Sequence, residues 1–311
     1  MQMNKKILLI SATAMVVIGG GLTSFGLAKG ASPVVEVGNN DAGFYTGKKE
    51  SGTIDISEFD TLTLDSKNCD VLIRGGDEYK LEYNVTNKSY IPEVSQDGKH
   101  LTVNEHGTKS VFVFSAGFPG EFDLSDPEKM ESSLYDYVIT VPKDGGTLNV
   151  DIVSDTDDIK IKDVFVNGTV KAKSADVKIS NVSSGDLFVS SGTGKVYVEN
   201  GRFDKLKIET RTDEVIVVNC IMTDLDAQSK SDKIELNNIE VDTANLKALD
   251  DISIRISGED DYSYDLTPGI GDEVEMGTNT IEGSYKSESL SGKSITAKSE
   301  TGDINISFAK K

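Results

Sequence analysis

The 311-residue sequence predicts an all-β fold: a parallel β-solenoid, or β-helix, of about eight coils of 18–19 residues, with two β insertions and one N-terminal transmembrane helix. Three observations carry this reading. Apolar pairs recur at a near-constant spacing through the middle of the chain. Gly, Ser, Thr, Asp and Val are plentiful, Trp is absent and Pro is held to 6 residues, a mix that favours short strands joined by tight turns. Finally, Ile7–Ala28 is a 22-residue stretch without a charge, preceded by Lys5 and Lys6.

That apolar stretch (residues 1–28 with its flank) is the first element. As a helix it would span about 33 Å, enough for a bilayer core. The lysines before it place the N-terminus in the cytoplasm and the remainder outside, as a single-pass extracytoplasmic protein. The alternative is a signal peptide cleaved near Ala28, which would release the chain. Residues 29–51, rich in Gly, Asn and charge, read as a tether.

The solenoid, residues 52–308, rests on anchors at Ile159, Val177, Val196, Val215, Ile234 and Ile252, which step by 18, 19, 19, 19 and 18 residues. A fixed period near 20 is the mark of stacked coils, each too small to bury its own apolar face. Two residues after each anchor come Ile161, Ile179, Val198, Val217, Leu236 and Ile254. Nine and seven before come pairs such as Val150/Ile152 and Leu206/Ile208, and five before come Ser154, Ser191, Thr210 and Ser229. In the Val177 and Ile252 coils this leading half reads as shorter. A weaker third side carries Val164, Val182, Cys220 and Ile239, five after their anchors. The same frame fits "LTLDSKNCDVLI" around Val71 and "ITAKSETGDINI" around Ile304, set apart from the array by insertions near 75–146 and 258–292.

The residue before each anchor reads Asp158, Asp176, Lys195, Glu214, Lys233 and Asp251. From Asp176 onward the sign alternates, so stacked coils would set opposite charges side by side, Asp176 against Lys195 among them. The frame also separates the two cysteines. Cys69 and Cys220 fall four coils apart, on the order of 20 Å at about 4.8 Å per coil, beyond disulfide reach. Both are expected as free thiols, with Cys220 buried.

The first insertion reads as antiparallel strands, with "YKLEYNV" alternating and an Asp97-Gly98 turn inside "PEVSQDGKHLTV". Phe112, Phe114, Phe118 and Phe122 lie within it. They fit either a cap on the solenoid's end or a loop that docks on a membrane or protein partner. The second insertion is acidic.

Chemistry-bearing patterns are scarce. A net charge of −20 disfavours nucleic acid and anionic lipid surfaces. His100 and His106 are the only histidines, and the acidic runs Ser154–Asp158 and Gly258–Asp261 match no calcium-loop pattern. Cofactors and metals are not expected. Asp176 and Glu214 stand two coils apart with Lys195 between them, which suits charge balance better than the paired carboxylates of a glycan-cleaving β-helix.

"DVLIRGGDEYKLEYNV", "DYVITVPKDGGTLNVDIVSDTDDIKIKDV" and "SLSGKSITAKSETGDINISF" resemble the bacterial "putative adhesin" family, a domain of unknown function. The strand leading into "VPK" and the turn Ser-x-x-Gly-Asp-[Val/Ile]-x-[Val/Ile], complete only at Ser299–Ile306, carry the likeness. The resemblance implies an extracytoplasmic β-solenoid, often membrane-tethered and linked to cell-envelope stress in Gram-positive bacteria, with no catalytic residues to carry over. The expected function is non-enzymatic binding of a cell-wall polymer or envelope protein. The alternatives are an envelope-stress accessory protein acting on a membrane partner and, less favoured, a carbohydrate-active enzyme.

Overall fold

The structure, a computed structural model, describes residues 34–37, 42–45, 50–85, 88–105, 134–258 and 261–309. The Ile7–Ala28 segment, His106 and the four phenylalanines Phe112–Phe122 lie outside the described residues. Among the described residues no helix is long and apolar enough to cross a membrane. Val34–Val37 pairs with Ala42–Tyr45 as a small antiparallel sheet of its own.

Every anchor of the repeat lands on a strand, and the strands stack in parallel with like residues opposite. The anchor ladder runs Tyr137, Val71, Ile159, Val177, Val196, Val215, Ile234, Ile252, Ile304 and Val274. All ten are buried. The leading sheet stacks in the same way, from Leu101 and Leu62 through Val150, Gly168, Leu187, Leu206, Leu225 and Ala244 to Ile295 and Tyr264. Period-2 alternation sends these side chains inward, where the two sheets enclose one continuous core. Charged and polar residues between them face out.

This makes ten rungs where the repeat pattern gives about eight coils, because each insertion contributes a rung of its own. His100–Asn104 pairs in parallel with Thr61–Ser66, and Tyr137–Pro142 with Val71–Gly76, so the first insertion forms the terminal rung outside Val71. At the far end Ser263–Thr267 and Glu273–Met276 form the outermost rung, and the last strands, Ser294–Ser299 and Ile304–Ala309, slot in beneath it against the Ile252 rung. Antiparallel strands then close both ends. Lys80–Val85 and Glu93–Asp97 cover one end, and Asn279–Glu282 and Tyr285–Ser287 the other. Capping of this kind protects backbone groups that a bare parallel edge would leave open to another chain. The Asp97-Gly98 hairpin is present, with Gly98 at φ 59°.

The leading half of the Val177 coil is not shortened, contrary to the sequence reading. Gly168, Val170 and Ala172 occupy the same register as Val150, Ile152 and Ser154. The residue nine before the anchor is a glycine and so escaped the hydrophobic pattern. It is required there, because at φ +118° a Cβ would lie 2.1 Å from the Val150 carbonyl oxygen.

The Ser/Thr corner is a ladder of buried hydroxyls at Ser66, Ser154, Ser191, Thr210, Ser229 and Ser299. Each ties down a turn. Ser66 Oγ donates to Cys69 O at 2.8 Å, Ser154 Oγ to Asp157 O at 2.7 Å and Thr210 Oγ1 to Asp213 O at 2.6 Å. Satisfied in this way, a buried hydroxyl costs little and fixes the corner between the sheets. Cys69 and Cys220 are both free and buried. Burial pushes the Cys220 thiol up to about 11, and burial beside Asp136 and Glu105 raises that of Cys69 further.

Candidate binding groove

On the third side, each of five rungs turns through an Asp or Asn four residues after its anchor. Asp163, Asn181, Asn200, Asn219 and Asn238 all sit at φ between 53° and 56°. A left-handed backbone is costly for most L-residues and tolerated by Asn and Asp, so these residue types permit the tight corner. Their side chains stack. Asn181 Nδ2 donates to Asp163 Oδ1 at 3.0 Å, Asn219 Nδ2 to Asn200 Oδ1 at 3.2 Å and Asn238 Nδ2 to Asn219 Oδ1 at 2.8 Å. Between Asn181 and Asn200 no such bond forms. This ladder was missed in the sequence, although an Asx residue at a constant offset from the anchor was a usable signal.

The corner turns the next residue inward (Val164, Val182, Cys220 and Ile239 are buried there) and the one after it outward. The outward row pairs Phe165 with Ser183, then Ser183 with Arg202, Arg202 with Ile221 and Ile221 with Glu240. Between the Asn row and this row runs a groove of about 390 Å³. Through Arg202 and Ile221, which line both, it meets a cleft of about 480 Å³ that reaches Glu240, Asp261, Tyr262 and Lys293. Phe203, Met222 and Val241 form a buried floor, while Ile221 is 38% exposed. At the far end Tyr262 donates its hydroxyl to Val241 O at 2.7 Å, and Lys293 Nζ lies 3.8 Å from Asp261 Oδ1 and 5.4 Å from the centre of the Tyr262 ring. Arg202 is exposed and has no ion-pair partner among the described residues.

The charged row before the anchors behaves differently from a simple alternation. Glu214 pairs with both neighbours, Lys195 and Lys233, the latter at 3.2 Å. Those hydrogen bonds hold its carboxyl below, and the two amines above, their ordinary values. Asp176 meets Lys195 through the main chain: the Lys195 N–H donates to Asp176 Oδ1 at 2.8 Å. Asp158 receives the Asp176 N–H at 2.9 Å in the same manner, Asp70 that of Asp158 at 2.8 Å, and Asp251 that of Asp303 at 2.9 Å. The aspartates therefore act as staples between rungs. Burial raises the carboxyls of Asp70 and Asp158, and burial beside Asp70 lifts Asp157 to about 6. Among the described residues no group of three His, Cys, Asp or Glu side chains is placed to hold a metal ion.

A family profile described as Toastrack DUF4097 matches residues 59–307. No curated protein matches the chain. Among solved structures, a "putative cell adhesion protein" from Clostridium sporogenes is 14% identical, with 84% of this chain and 100% of that one covered at a TM-score of 0.36. A "putative adhesin" from Parabacteroides distasonis is 12% identical, with 84% and 97% covered at 0.48. A "putative lipid binding protein" from the same organism is 12% identical, with 85% and 98% covered at 0.38.

Proposed function

The chain belongs to the Toastrack DUF4097 family, and from that premise we propose that it is a non-enzymatic, adhesin-like protein that binds a cell-envelope component through its solenoid surface. The observation that carries the reading is the groove on the third side. Its walls are successive strands held in register by parallel pairing, so its shape is fixed before any ligand arrives, and preorganisation of this kind lowers the cost of binding. The carboxylates that the sequence singled out are engaged with main-chain N–H groups or lysines, which suits structural duty rather than proton transfer. The uncharged Ile7–Ala28 segment behind Lys5 and Lys6 supports a tether that holds the solenoid outside the membrane.

The test is a titration of the fluorescently labelled chain onto protease-stripped bacterial envelopes. Saturable binding that weakens when groove residues are replaced is the expected result. Binding no better than that of an unrelated acidic β-solenoid would overturn the reading. Protease shaving of intact cells checks the topology: removal of the solenoid is expected, and protection would defeat it.

A further inference from the structure

We propose that the groove binds a linear, electrically neutral glycan laid along the solenoid axis, an inference that rests on the binding role proposed above and names its ligand class. Three features of the groove point there. The first is its period. Asn181, Asn200 and Asn219 occupy equivalent positions on successive rungs, about 4.8 Å apart. A polymer with a short repeat can therefore make the same contact at each rung.

The second is the chemistry of the wall. Asn181 and Asn200 are exposed, and the amide ladder is broken between them. Asn181 Oδ1 is left with no acceptor duty among the described residues, and Asn200 Nδ2 with no donor duty. One free acceptor and one free donor on neighbouring rungs suit the hydroxyls of a sugar chain, each of which both donates and accepts. Beside them Arg202 supplies further unpaired donors, and Ile221, 38% exposed, offers an apolar surface for the face of a sugar ring.

The third is charge. Asp204, Glu240, Asp242 and Asp261 line the adjoining cleft against Arg202 and Lys293, on a chain of net charge −20. A phosphate- or uronate-bearing polymer would be repelled. A cationic peptide is the rival ligand, but its charges would meet the Arg202 guanidinium in the groove itself, whose lining holds no carboxylate.

The probes are the hexamer of β-1,4-linked N-acetylglucosamine and cellohexaose, with hexalysine and a polyuronate as comparisons. They are titrated calorimetrically against the full chain in a polyoxyethylene detergent, which carries no sugar headgroup. Binding of at least one neutral hexamer is expected, stronger than that of its dimer and insensitive to salt. Asn200→Asp, which converts the free donor to an acceptor, and Ile221→Asp should each weaken it at least about tenfold, while circular dichroism and the thermal midpoint stay close to those of the parent. Binding of hexalysine or the polyuronate alone, no binding of either neutral hexamer, or hexamer binding untouched by both substitutions would overturn the inference. If the chain still binds stripped envelopes in any of those cases, the binding role stands and only the ligand class falls; loss of both removes the two together.

Discussion

Replacing Glu105 should loosen one end of the solenoid and leave the other intact. In the inner rungs the first N–H of each turn donates to the corner carbonyl of the preceding rung: Asp155 to Ser66 O at 3.0 Å, Lys173 to Ser154 O at 2.9 Å, Arg211 to Ser191 O at 3.1 Å. In the Val71 rung the corresponding N–H, that of Lys67, donates to the side chain of Glu105 rather than to a main-chain carbonyl. That residue occupies the Ser position of the terminal rung, is 3% exposed, and turns its carboxylate toward this turn. Its Oε2 accepts from Lys67 N at 2.6 Å and Asn68 N at 2.8 Å, and its Oε1 from Asn68 Nδ2 at 3.0 Å. The carboxylate takes the part that main-chain carbonyls play in the inner rungs. Hydrogen bonds to a charged acceptor are worth about 1.5–3 kcal/mol each, and water can recover part of the loss. Glu105→Ala should therefore cost about 3 kcal/mol, and Glu105→Gln, which keeps one oxygen, about 1 kcal/mol. Urea unfolding reads this as a lower midpoint at unchanged slope. Amide exchange locates it, since coils interact only with their neighbours, and protection should fall first around Thr61–Gly76. A loss under about 0.5 kcal/mol for Glu105→Ala, equal losses for both variants, or fraying at the Ile304 end would refute the capping argument.

Other consequences follow from the corners and the buried groups. Asn219→Ala forces an ordinary residue into a left-handed backbone at φ 53° and removes two ladder bonds. It should cost about 1–2 kcal/mol, with Asn219→Gly recovering the backbone part, both read from thermal midpoints. Asp157, lifted to about 6 from an ordinary 3.8, holds its proton more tightly folded than unfolded. The stability this contributes is present in full below about pH 3.8 and is lost as pH rises through about 6. Asp157→Asn should thus raise stability above pH 6 by about 1 kcal/mol, discounted for its partial exposure, and flatten that part of the pH profile; an unchanged profile would contradict the assigned environment. Iodoacetamide at pH 8 should leave Cys69 and Cys220 unmodified in the native chain and alkylate both in denaturant, with rapid native labelling of either refuting its burial.

The array was legible because stacking in register demands apolar residues of similar size at fixed intervals, and the anchors from Ile159 to Ile252 supply them. What stayed hidden follows from the same physics. Tyr137–Val141 is buried at all five positions and so shows no alternation, and its place as a parallel strand of the terminal rung could not be read from the pattern. Gly168 meets its ladder with main chain instead of a side chain. The slotting of Ile304–Ala309 between the Ile252 rung and the second insertion is a matter of chain path, which strand spacing leaves open. Asp176 and Lys195 do stack, but the sequence suggested a side-chain pair and the structure uses a carboxylate and a main-chain N–H.

The groove was illegible for a related reason, which also bears on where recognition resides. Inward positions repeat because each must fit its neighbours above and below. The outward row on the third side carries Phe165, Ser183, Arg202, Ile221 and Glu240, five side chains of different chemistry in one ladder. Stacking of unlike exposed groups contributes little to stability, so stability places little constraint on what stands there. The ladder that does repeat beside it, of Asp and Asn, breaks its hydrogen bonding at Asn181 and Asn200, next to Arg202. In a repetitive fold the register makes the scaffold and departures from it make a particular surface. On this molecule two departures, one in residue type and one in hydrogen bonding, fall on the same stretch of groove.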